Sequence, residues 1–126
     1  MNWLLLTLSL TLMQCCIGQK TIEAKRIKQN IILDANFGEH SWHNANWTTG
    51  FTQLKPVPGN KPSKPTEVAI LYDQEALYVG VKCFDHPDSV SRVLSARDDF
   101  NPNLDVFAIF IDTYVDRQNG FSFGIT

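Results

Sequence analysis

The sequence is nearly devoid of cysteine. Three cysteines occur in 126 residues, and two of them, Cys15 and Cys16, lie in an apolar leader. Only Cys83 remains beyond it, and one thiol closes no internal disulfide, which excludes a disulfide scaffold. An excess of charge of one sign is also lacking: 11 Lys and Arg stand against 13 Asp and Glu, a formal net charge of −2. No basic field is available for nucleic acid or anionic lipid. There is no GxGxxG, no phosphate loop, no HxxxH pair and no calcium loop of the D-x-D-x-D-G type. No apolar run reaches the length of about 20 residues that a membrane-spanning helix needs.

What is present begins with that leader. Residues 1–18, MNWLLLTLSLTLMQCCIG, carry no ionisable side chain. The run from Trp3 to Met13 has the length of a signal-peptide core, and small residues at Cys16 and Gly18 allow cleavage before Gln19. The usual Lys or Arg near the start is absent, so a buried first helix competes with the signal reading. Leu12 opens a lipobox-like sequence before Cys15, with Gln14 where a small residue is expected, so lipid attachment at Cys15 or Cys16 stays open. The expected location is outside the cytoplasm: periplasmic, outer-membrane-associated or extracellular.

The remaining chain has the length of one domain and an ordinary composition, 44% apolar and 19% charged. TIEAKRIKQN reads as an exposed lead-in and IILD as a short strand. NFGEHSWHNANW spaces Phe37, Trp42 and Ala45 as one or two helical turns would, and WTTGFTQL alternates like a half-buried strand. KPVPGNKPSKP carries four of the six prolines and reads as a stiff surface loop. TEVAILY and LYVGVKCF form a hairpin about the polar tetrad Asp73–Ala76. Ser89–Arg97 suggests a short helix capped by Asp88 or Ser89. VFAIFI is a second strand apolar on both faces, Asp112–Asn119 a charged turn, and FSFGIT opens another strand. Many short strands and little helix predict an all-β fold, an antiparallel β-sandwich of immunoglobulin-like or jelly-roll-like type with one or two short helices. In a sandwich the doubly apolar strands lie inside, covered by the opposing sheet on one side and by a helix or loop on the other. The pattern stops in mid-strand, so the chain reads as the front of a longer polypeptide.

Three blocks, IILDANFGEHSWHNA, TEVAILYDQEALYVGVKCFD and RDDFNPNLDVFAIFIDTYVDRQNGFSFGIT, resemble in order the family 9 carbohydrate-binding modules, and in particular those opening large exported bacterial proteins. The resemblance covers 27–126. It implies a β-sandwich that holds sugar between aromatic side chains, with polar side chains gripping hydroxyls. Where the family's stacking Trp is expected, this sequence has Pro102 or Asn103; its acidic partner falls near Ala108 and its basic one near Gly124.

The residues themselves offer other sugar contacts. Trp47 reads as the exposed aromatic, whereas Trp42 shares an apolar stripe with Phe37 and Ala45. Arg97, Asp98 and Asp99 can grip hydroxyls beside a Phe100 platform, or tie one another into an ordered loop. Asp98, Asp99, Asp105, Asp112 and Asp116 are turn residues in the plain reading; calcium and glycosidase carboxylates are the competing ones. No other cofactor is implied. His40 and His43 share an i, i+3 spacing without a third ligand. The Asn46-Trp47-Thr48 sequon matters only in a eukaryotic secretory route. The expected function is an exported, non-catalytic carbohydrate-binding module linked to carbohydrate catabolism, whose partners are a glycan and its own C-terminal region. The alternatives are an interaction domain packed on that region with its sugar site lost, and part of an O-glycosyl hydrolase.

Overall fold

The computed structural model describes residues 20–91, 93, 96, 97 and 104–126. The fold is all-β: five strands in two sheets, with one four-residue helix and one 3-10 turn among the described residues. The chain divides into two compact units, one ending at Cys83 and the other running from Phe84 to Thr126. Residues 1–18, read as a signal peptide, lie outside the described residues.

The first unit is a three-stranded sheet in the order β1-β2-β3. Strands β2 (Thr66–Tyr72) and β3 (Leu77–Cys83) form the hairpin expected from TEVAILY and LYVGVKC, with Thr66 opposite Cys83 and Tyr72 opposite Leu77. Alternation along these strands sends Ala69 and Leu71 to one face with Gly80 and Tyr78, and Ile70 and Tyr72 to the other with Val79 and Leu77. The first face is the core. Ala69 and Leu71 are completely buried there, together with Ile27 and with Trp42 from helix α1 (His40–His43). The second face is less covered, with Tyr72 and Leu77 exposed at 38% and 50%.

Strand β1 (Ala24–Arg26) corrects two expectations. It falls within the charged lead-in, and it runs parallel to β2, Ala24 opposite Ile70 and Arg26 opposite Tyr72. The sheet is therefore mixed. IILD forms no strand, because the ladder ends where the Ile27 N–H donates to the Tyr72 carbonyl at 2.8 Å. The Ile32 N–H then goes to the Glu39 carboxylate at 3.2 Å, leaving Ile32 and Leu33 exposed. A parallel pair needs a long crossover, and here residues 27–65 provide it, carrying α1 along the way. WTTGFTQL, expected as a strand, contributes a single bridge from Thr48 to Val68. The proline-rich loop closes on itself through Gln53, whose N–H donates to the Asn60 carbonyl and whose carbonyl accepts from the Gly59 N–H.

Helix α1 is too short to hold itself, since a first turn fixes several residues for one hydrogen bond. Its carbonyls are bonded from outside. Lys25 Nζ donates to the Asn44 carbonyl at 2.6 Å, Asn44 Nδ2 to that of His40 at 2.8 Å, and the Trp47 indole N–H to that of Trp42 at 3.1 Å.

The second unit contains β4 (Phe107–Ile111) paired antiparallel with β5 (Phe121–Ile125). Register places Phe107, Ile109 and Ile111 beside Ile125, Phe123 and Phe121 on one wholly apolar face. Phe110 stands on the other face, 82% exposed, with Ala108, Ser122 and Gly124 around it. Covered strands were expected here, yet every residue of β5 is exposed and those of β4 alternate between half-buried and exposed. A 3-10 turn, Pro87–Ser89, stands at the start of the helix expected over 89–97, a stretch of which residues 92, 94 and 95 lie outside the described residues. His86 caps the turn, its Nδ1 accepting the Asp88 N–H at 3.4 Å, and Val90 is already extended.

Candidate functional site

The aromatic residues of the first unit form one cluster. Phe37 meets Trp42 edge-on at 5.3 Å between ring centroids and Trp47 edge-on at 5.2 Å, and the two indoles are 5.9 Å apart. Edge-to-face packing aligns the positive rim of one ring with the negative face of another. Lys82, from β3, sets its ammonium 3.8 Å from the Trp47 ring and 5.3 Å from that of Phe37. The cation sits over the quadrupole of the indole.

Trp47 is less open than the exposed aromatic read from the sequence. The side chain is half-buried, its N–H is committed to the Trp42 carbonyl, and the Lys82 ammonium stands over its ring. Trp47 is thus part of the packing that holds α1 on the sheet. Trp42, by contrast, is the core residue the spacing predicts, 5% exposed.

Of the remaining sugar-contact candidates, Arg97 lies in an exposed turn, while Asp98, Asp99 and Phe100 are outside the described residues. Two acidic residues of the second unit, Asp112 and Asp116, hold a turn. Asp112 accepts the N–H groups of Asp116 and Arg117, at 3.3 and 2.8 Å. Asp116 accepts those of Gln118 and Asn119 and the Asn119 side-chain amide, all within 2.8 to 2.9 Å. The Asn119 N–H is the largest influence holding the Asp116 carboxyl below its ordinary range, because hydrogen bonds to the anion favour the anion. Asp105 accepts the Ser91 N–H at 2.8 Å. His40 Nε2 lies 3.0 Å from Asn44 Nδ2, within the helix's own capping network. Among the described residues no three His, Cys, Asp or Glu side chains converge as a metal site.

A feature the sequence did not signal lies at the turn of the first hairpin. Asp73 Oδ1 accepts the Glu75 and Ala76 N–H groups at 2.7 and 2.8 Å, and Oδ2 accepts the Tyr78 hydroxyl at 2.9 Å. The Glu75 N–H leads in pulling the Asp73 carboxyl below its ordinary range, and the bond to Asp73 raises the Tyr78 phenol. This rigid turn forms one wall of an open cleft of about 860 Å³, and the segment just after β1 forms the other, with Arg26, Lys28 and Ile31. No spacing rule connects residues 26–31 with 73–78; the parallel pairing of β1 on β2 brings them together.

No family model, no curated protein and no solved structure matches the chain. Among the described residues, no helix is long and apolar enough to cross a membrane.

Proposed function

We propose that this chain is an exported, non-catalytic β module of the carbohydrate-binding type, forming the front of a longer protein linked to carbohydrate catabolism. The observation that carries this reading is where the hairpins fall. Strands β2–β3 and β4–β5 occupy two of the three sequence blocks that resemble family 9 modules, and α1 with its buried Trp42 occupies the first. In the sandwich that the resemblance implies, the apolar face of β4 and β5 is an inner face. Asp105, Asp112 and Asp116 are engaged by backbone N–H groups, which supports a binding rather than a hydrolytic role for this segment. Its job would be to hold glycan near a hydrolase acting on glycosyl bonds. A glycan array probed with the whole chain tests this: retention of at least one oligosaccharide is expected, and an empty array rejects it.

A second reading has one specific observation in its favour. Phe121, Phe123 and Ile125 are 53%, 58% and 69% exposed on one face. A continuous apolar face of this kind marks a surface that needs a cover. An interaction domain packed on its own C-terminal region would supply one, and an array without binding combined with a stable complex between the two parts favours it.

A further inference from the structure

We infer that the cleft between the β2–β3 turn and the segment after β1 is a binding site for a neutral pyranose chain. The inference rests on the carbohydrate-binding reading and names the place where that binding occurs.

Four observations converge on it. The cleft's volume of about 860 Å³ lies within the range of small-ligand sites, roughly 300–1,000 Å³. Its apolar part comes from Ile31 and the Tyr78 ring, which suit the C–H face of a pyranose. Around them stand Arg26, Lys28, Asn30, Gln74 and Glu75, and none of these side chains makes a hydrogen bond or ion pair with another described residue. Asp73, in contrast, has both carboxylate oxygens occupied and acts as the frame that fixes the turn and the Tyr78 ring.

The chemistry selects the ligand class. Arg26, Lys28, Asn30 and Gln74 offer donors, and Glu75, Asn30 and Gln74 offer acceptors. Sugar hydroxyls both donate and accept, so they use such a mixed set fully. The two cations are balanced by Asp73 and Glu75, so the lining carries no net charge to favour a polyanion. The site is separate from the aromatic cluster, where Lys82 already covers Trp47.

The test uses the whole chain, with cellotetraose, xylotetraose, laminaritetraose and mannotetraose as probes and a galacturonic acid oligomer as the charged comparison. Amide chemical shifts at Ile31, Gln74 and Glu75 should move with at least one neutral probe. A double substitution, Arg26→Ala with Gln74→Ala, should weaken that binding by about tenfold, the scale of a lost charged hydrogen bond. Both side chains are exposed, and an unchanged unfolding midpoint verifies that the variant is folded. Lys61→Ala, in the proline-rich loop, should leave affinity unchanged. Neutral-probe binding that survives the double substitution, or shifts that map elsewhere, overturns the cleft while leaving the carbohydrate-binding reading standing. Binding of the charged oligomer alone overturns the neutral specificity. No binding to any probe rejects the cleft, and an empty array then rejects the wider reading with it.

Discussion

Gly80 and Trp42 claim the same space. A Cβ built on Gly80 would lie 2.6 Å from Trp42 Cζ3, 2.9 Å from Cη2 and 3.0 Å from Phe37 Cε1. The missing side chain on β3 is what lets the indole of α1 lie directly on the sheet opposite Ala69. Gly80→Ala should therefore destabilise the first unit by about 1–3 kcal/mol through overpacking. Urea unfolding followed by tryptophan fluorescence checks this. Adding Trp42→Phe should recover part of the loss, since residues in contact couple. Strictly additive losses would show that the two do not share that space.

Lys82 bears on the same cluster from the open side. With its ammonium 3.8 Å from the Trp47 ring, Lys82→Ala should cost about 0.5–2 kcal/mol and leave the indole more accessible. Acrylamide quenching of tryptophan emission should increase in the variant. Lys82→Arg, which retains charge and stem, should behave nearly as the parent does.

Two carboxylates make the turns sensitive to acid. Asp73 and Asp116 both have folded values held below the ordinary 3.8 by hydrogen bonds to their anions. The unfolded chain binds a proton first as pH falls, so their contribution is complete above 3.8 and is lost as pH drops through the depressed folded values. Carboxyl chemical-shift titration should place both midpoints under 3.8. Asp73→Asn should abolish the acid-sensitive part of hairpin protection in the first unit and leave that of the second unaltered.

The Asp112–Gly120 turn holds Val115 at φ 55° and Arg117 at φ 59°. A β-branched side chain in the left-handed region is strained, on the order of 1–2 kcal/mol, whereas Asn tolerates it. Val115→Asn should raise stability by up to about 1 kcal/mol, measured by thermal unfolding. Its side chain is 84% exposed, so no packing is lost to offset the gain.

The sequence by itself determined the hairpins. Short apolar runs in TEVAILY, LYVGVKC and VFAIFI, punctuated by Asp-containing turns, are local signals, and β2, β3 and β4 lie on them to within a residue. Trp42 as core was equally legible from its stripe with Phe37 and Ala45. Only the tertiary structure decided what depends on partners distant in sequence. The charged AKR became a strand in place of the greasier IILD because β2 offered its free edge there, and an edge pairs backbone groups whatever the side chains are. Trp47, read from the sequence as the exposed aromatic, is half-buried because Lys82 and the rest of the aromatic cluster reach its ring. The cleft beside Asp73 had no signature at all, since two segments that share no periodicity were joined by that same parallel pairing. Periodicity reports which residues avoid water; it does not report which of them meet.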